Sequence, residues 1–125
     1  MTIQQVIDTV DSTKPNAFSY EQKVAWLSEV DHQAYREILS KHEGMTEGYV
    51  FEGYTKDTPP DTVLLIPDVY AEVYEHAIAR KMDHKYGELD KYENDNMLFN
   101  SLYQTFWDYW TRTHRPLTPV TQFQF

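Results

Sequence analysis

The chain has 125 residues, 41% of them hydrophobic and 15% aromatic, with no cysteine and a formal net charge of −9. That is enough apolar material for one domain with a modest core, and it excludes disulfides, thiolate metal sites and cysteine nucleophiles. The charge is uneven: residues 43–75 hold eight acids against Lys56 alone, whereas 111–125 hold Arg112 and Arg115 and no acid, a balance unsuited to duplex binding, which needs clustered Lys and Arg.

Ile3, Val6, Ile7 and Val10 follow helical spacing and predict a short amphipathic first helix, capped by Thr2 with Gln5 three residues on. Pro15 and Asn16 break it. A second helix starts at Ser19, with Gln22 in the same capping arrangement, and Val24, Leu27, Val30 or Asp31, Ala34 and Ile38 mark its buried face. It should end near His42-Glu43-Gly44, where glycine suits a left-handed cap. Residues 44–62 carry Gly44, Gly48, Gly53, Pro59 and Pro60 between Tyr49, Phe51 and Tyr54. This composition predicts a projecting loop or arm, with a short strand near Tyr49–Glu52.

Pro67 and Asp68 open a third helix whose stripe is Tyr70, Val73, Tyr74, Ala77, Ile78 and Lys81, and Gly87 stops it. A fourth helix is predicted over 88–114, because Tyr92, Asn96, Phe99, Tyr103, Phe106, Trp110 and Thr113 recur every three or four residues. At 1.5 Å per residue it would be about 40 Å long. With Leu98, Leu102, Trp107 and Tyr109 beside the stripe, it carries more aromatic surface than one neighbouring helix covers, so part should face another subunit. Pro116 and Pro119 then forbid helix, and Val120-Thr121-Gln122-Phe123-Gln124-Phe125 reads as a strand without a partner in its own chain. The expected fold is all-α: a small four-helix bundle-like domain over 1–115 with a long C-terminal helix, a projecting loop at about 44–62 and an extended tail over 116–125.

No constellation specifies a reaction. Glu29-Val30-Asp31-His32 contains one Glu-x-x-His, whereas helical di-iron sites need two and further glutamates. Glu72, His76 and His84 with Asp83 have a spacing that could hold a metal, but on a charged helix it reads better as a solvated face. His32, His42 and His114 have no neighbouring nucleophile arrangement. Phosphate-binding and dinucleotide motifs are absent from the sequence. The chain is therefore read as a non-enzyme without metal or cofactor. The longest apolar run, Val63-Leu64-Leu65-Ile66-Pro67, is too short to cross a bilayer, and Met1-Thr2-Ile3-Gln4-Gln5 has no signal-peptide pattern. A soluble protein made in the cytoplasm, with no membrane partner, is the expectation.

Three blocks carry a family resemblance. The first is Lys14-Pro15-Asn16-Ala17-Phe18 with Lys23-Val24-Ala25-Trp26-Leu27, and the second is Leu64-Leu65-Ile66-Pro67 leading to Tyr70 and Tyr74. The third is Gly87-Glu88, Tyr92, Asn94, Phe99-Asn100, Phe106 and Arg112-Thr113-His114-Arg115-Pro116. Over about 10–42 and 63–116 the chain resembles the helical head-to-tail connector (adaptor) proteins of long-tailed bacteriophages and prophages, while 44–62 matches that family less well. The resemblance implies a virion structural protein of the neck, made in the bacterial host cytoplasm. It would form a ring, usually of twelve subunits, beneath the portal protein, with DNA passing through the bore and the next tail or neck component docking below.

By the same resemblance, Leu117, Val120, Phe123 and Phe125 of the tail would contact the portal. Ring contacts would come from the third and fourth helices, with Tyr92, Phe99, Tyr103, Phe106 and Trp110 as the packing residues. Glu47, Glu52, Asp57 and Asp61 would form an acidic loop that repels DNA phosphates and lets the genome slide. The alternative is a small acidic DNA-mimic inhibitor of a DNA-binding protein. That reading wants carboxylates over one continuous face, whereas here they concentrate in 43–75 and are interrupted by prolines.

Overall fold

The computed structural model describes residues 1–117, which form four α-helices and, among those residues, no strand. Helix α1 spans Ile3–Thr13, α2 Tyr20–Glu37, α3 Glu72–Tyr86 and α4 Leu89–Thr113. Short 3-10 turns occupy Leu39–Lys41 and Asp68–Tyr70. The all-α, bundle-like expectation is met.

The local signals in the sequence explain where most helices begin and end. Thr2 caps α1 with a complete capping box, its hydroxyl accepting from the Gln5 N–H while the Gln5 side chain accepts from the Thr2 N–H. Ile3, Val6, Ile7 and Val10 are all buried. In α2 the Ser19 hydroxyl accepts from the Gln22 N–H, but the expected return bond from the Gln22 side chain is not among the hydrogen bonds of the described residues. Gly87 ends α3 in the left-handed conformation at φ 72°, and its N–H bonds back to the last turn.

Helix α3 is the centre of the domain, since α1, α2 and α4 all pack on it. Val73, Tyr74, Ala77, Ile78 and Met82 are buried there, and α4 turns back from Gly87 to pack along it. The buried stripe of α4 is Phe99, Tyr103, Phe106 and Trp110, four of the residues that the sequence spacing selects.

Helix α3 opens at Glu72, after the separate 3-10 turn Asp68–Tyr70, rather than at Pro67 and Asp68, and three further expectations are corrected. First, α2 ends at Glu37 rather than near Gly44. The backbone leaves helical geometry at Ile38 (φ −138°, ψ −49°), and the 3-10 turn that follows buries both Ile38 and Leu39 completely. Ile38 continues the buried stripe of Ala34, whereas Leu39 lies off that stripe and is buried only with the change in backbone direction.

Second, residues 44–62 neither project freely nor form a strand. Phe51 and Tyr54 are buried, and the segment is folded back onto α2 by the Tyr54 N–H donating to Ser28 Oγ (3.0 Å) and the Tyr35 hydroxyl donating to the Tyr49 carbonyl (2.9 Å). Gly53 makes this approach feasible. Its φ is 94°, and a Cβ there would lie 2.8 Å from His32 Nε2 and 3.0 Å from Ser28 Oγ.

Third, the first residues of the 116–125 segment pair with the body, while the strand read as unpartnered, 120–125, lies outside the described residues. The Glu43 N–H donates to the Arg115 carbonyl and the Leu117 N–H to the Lys41 carbonyl, both at 2.8 Å, around an antiparallel bridge between His42 and Pro116. Residues 116 and 117 therefore belong to the folded body rather than to a tail that begins at 116.

Candidate functional site

The surface singled out by the sequence has three parts: the acidic loop, the exit point of the C-terminal segment, and the aromatic helix. The loop is built on a buried polar node. Asp31 is fully buried on α2, and its carboxylate accepts from the Tyr54 hydroxyl (2.5 Å), the Tyr74 hydroxyl (2.5 Å) and the Leu65 N–H (3.0 Å). Tyr74 in turn accepts from the Ile66 N–H at 2.8 Å, so its own proton is committed to Asp31. Burial pushes the Asp31 pKa up, while the tyrosine and backbone donors pull it back. Burial and the facing Asp31 charge raise the Tyr54 and Tyr74 hydroxyls, which stay protonated as donors. One carboxylate thus joins α2, the loop, the 64–66 segment and α3.

On this anchored loop Glu47, Glu52, Asp57 and Asp61 are all exposed. None of the four forms an ion pair among the described residues. The loop therefore presents carboxylates to solvent, and those carboxylates keep fixed attachment points through Phe51 and Tyr54.

The C-terminal segment leaves the body beside a groove of about 490 Å³ lined by residues that include Tyr35, Leu39, Met45, Tyr49 and Leu117. Leu117 itself is 58% exposed. Gly44 lets the strand-like pairing close at this point: with φ 116°, a Cβ would come within 2.5 Å of His114 Cδ2 and 2.9 Å of Trp110 Cζ2. His114 stacks on the Trp110 ring at 3.7 Å between centroids. The other three residues expected at a portal contact, Val120, Phe123 and Phe125, lie outside the described residues.

The aromatic helix is mostly core rather than free interface. Phe99, Tyr103, Phe106 and Trp110 are each 8% exposed or less, and Tyr92 is half-buried against His84. Cover for this stripe comes from irregular segments as well as from a neighbouring helix. Tyr70 of the 3-10 turn packs on Phe106 and Tyr109, and the Tyr103 hydroxyl donates to Glu37 at the end of α2 (2.7 Å). The apolar side chains of α4 that remain exposed are Leu89, Met97 and Leu98.

The histidine spacings do not converge on a metal. Glu29 pairs with Lys81 (3.1 Å), while His32 stacks on Phe51. His76 Nδ1 lies 3.1 Å from Asp95, and His84 lies against Tyr92. Among the described residues no group of three His, Asp or Glu side chains could hold a metal ion, and no helix is long and apolar enough to cross a membrane.

A second buried carboxyl was missed by sequence reasoning, which placed Asp83 on a solvated face. Asp83 is fully buried, pairs with Lys14 and sits beside Asp95. Burial first, and Asp95 second, push its pKa up against the pull of Lys14. Among the described residues Asp83 Oδ2 has no hydrogen-bond partner.

No protein-family model, curated protein or solved structure matches this chain.

Proposed function

We propose that the chain is a virion structural protein, a head-to-tail connector subunit repeated in a ring beneath the portal of a long-tailed phage. The observation that supports this best is the pairing of Arg115–Leu117 with Lys41–Glu43. It holds the start of the C-terminal segment at one place on a rigid helical body, as a protein that grips a partner by an extended segment requires. The exposed acidic loop suits a surface that DNA slides past, because its carboxylates repel phosphates. In this reading the protein is made in the host cytoplasm and resides in the virion neck. Its partners are the portal, the next tail component and other copies of itself.

The test is mass by light scattering, with and without the portal protein encoded beside it. The full chain joins the portal in a ring-sized complex, and a chain ending at Leu117, which keeps the pairing intact, does not. A full chain that ignores the portal and instead forms a stoichiometric complex with a DNA-binding protein would overturn the connector reading in favour of the acidic DNA-mimic inhibitor.

A further inference from the structure

Against a chain of net charge −9, one cleft is locally basic. It lies between α2 and α3, has a volume of about 300 Å³, and is lined in part by Trp26, Arg36, Arg80 and Lys81. Glu29 also lines it, and that carboxylate is engaged by Lys81. Arg36 and Arg80 have no carboxylate within ion-pair distance among the described residues. Arg80 is held in place: its guanidinium lies 3.8 Å over the Phe99 ring, Nη1 donates to Asn96 (2.9 Å), and the buried Nε has no acceptor among the described residues. Burial lowers the pKa of Arg80 from its ordinary value. A half-buried cation without a carboxylate partner among the described residues, next to an exposed arginine, is an incomplete electrostatic site that an oxyanion would complete.

The same chain carries the complement. Glu47, Glu52, Asp57 and Asp61 are exposed and without an ion pair among the described residues, on a loop anchored to α2 at Ser28, Asp31 and Tyr35. The cleft adjoins that loop through His32, which lines the cleft and stacks on Phe51, but its cations Arg36, Arg80 and Lys81 lie on the far side of His32 from the loop's anchor. Two unlike surfaces of one chain that meet between copies form a heterologous, head-to-tail contact, the kind that closes into rings. We propose that the α2–α3 cleft receives the acidic loop of a second copy, with carboxylates from 47–61 meeting Arg36, Arg80 and Lys81. This supplies the self-contact of the connector reading and rests on its repeated-copy part.

The experiment is sedimentation equilibrium of the full chain, alone, at two ionic strengths. Wild type self-associates, and its association constant falls at least about tenfold between low and physiological salt, because opposed exposed charges are screened. Arg36→Ala with Lys81→Ala, which leaves the packed Arg80 in place, abolishes association. So does neutralising the loop with Glu47→Gln, Glu52→Gln, Asp57→Asn and Asp61→Asn. Mixing the two variants restores pairs and nothing larger, since each mixed pair retains one good cleft and one good loop.

Circular dichroism of each variant shows that it is folded. Association indifferent to both sets of substitutions overturns the proposal, as does a wild type that stays monomeric at millimolar concentration. A cleft that binds inorganic phosphate while the chain stays monomeric overturns it in favour of a small-anion site. The portal experiment above is separate: ring assembly driven only by the portal would leave the connector reading intact while this contact failed.

Discussion

Asp31 is a buried carboxylate that the fold keeps because it accepts three hydrogen bonds from three different segments. In sequence it stands inside Glu29-x-x-His32 and on the apolar face of a helix, where it could be taken as half of a metal motif or as an alternative to Val30. Its partners Tyr54, Leu65 and Tyr74 lie 23, 34 and 43 residues away, so no local pattern reveals them. Asp31→Ala would leave two tyrosine hydroxyls and one backbone N–H without their acceptor. A buried donor left without its acceptor costs about 1–3 kcal/mol, and the loss should appear in urea unfolding followed by far-ultraviolet circular dichroism. A change below about 1 kcal/mol would show that water replaces the carboxylate and that the node does not anchor the loop.

The helices differ in how much their own sequences specify. Helix α1 was legible to the residue, since its capping box and four-residue apolar face are both local. The far end of α2 was not, because no breaker residue marks Ile38, and Leu39, which is also buried, lies off the stripe that the spacing selects. In α4 the aromatic spacing identified the buried stripe, while the segments that cover it came from elsewhere in the chain. Phe106 is fully buried and Leu98 is 38% exposed on the same helix. Phe106→Ala should therefore cost about 3–5 kcal/mol by loss of burial and cavity formation, and Leu98→Ala less than about 1 kcal/mol. Equal losses in thermal unfolding would mean that Leu98 is covered in solution, as a subunit contact would require.

At the scale of the molecule, Asp31 and Asp83 are fully buried carboxyls with raised pKa values, within a strongly acidic chain. A raised native pKa means that the folded state binds more protons than the unfolded state between the ordinary carboxylate value and the raised one, so stability is lost as pH rises through that window. Self-repulsion of the net negative charge acts in the same direction. The urea midpoint should accordingly be higher near about pH 5 than near about pH 8, and a midpoint that rises steadily with pH would contradict the burial of these two groups. The sequence by itself determined the class of fold, the four helices, most of their ends and most of the core, because capping, glycine stops and apolar spacing act over one to four residues. Only the tertiary structure decided that the 44–62 loop is anchored, that Asp83 is buried, that residues 115–117 pair with 41–43, and that Arg36, Arg80 and Lys81 share a cleft. Each of those depends on which distant segments meet, and burial, charge pairing and hydrogen bonding at such meetings leave no periodic trace along the chain.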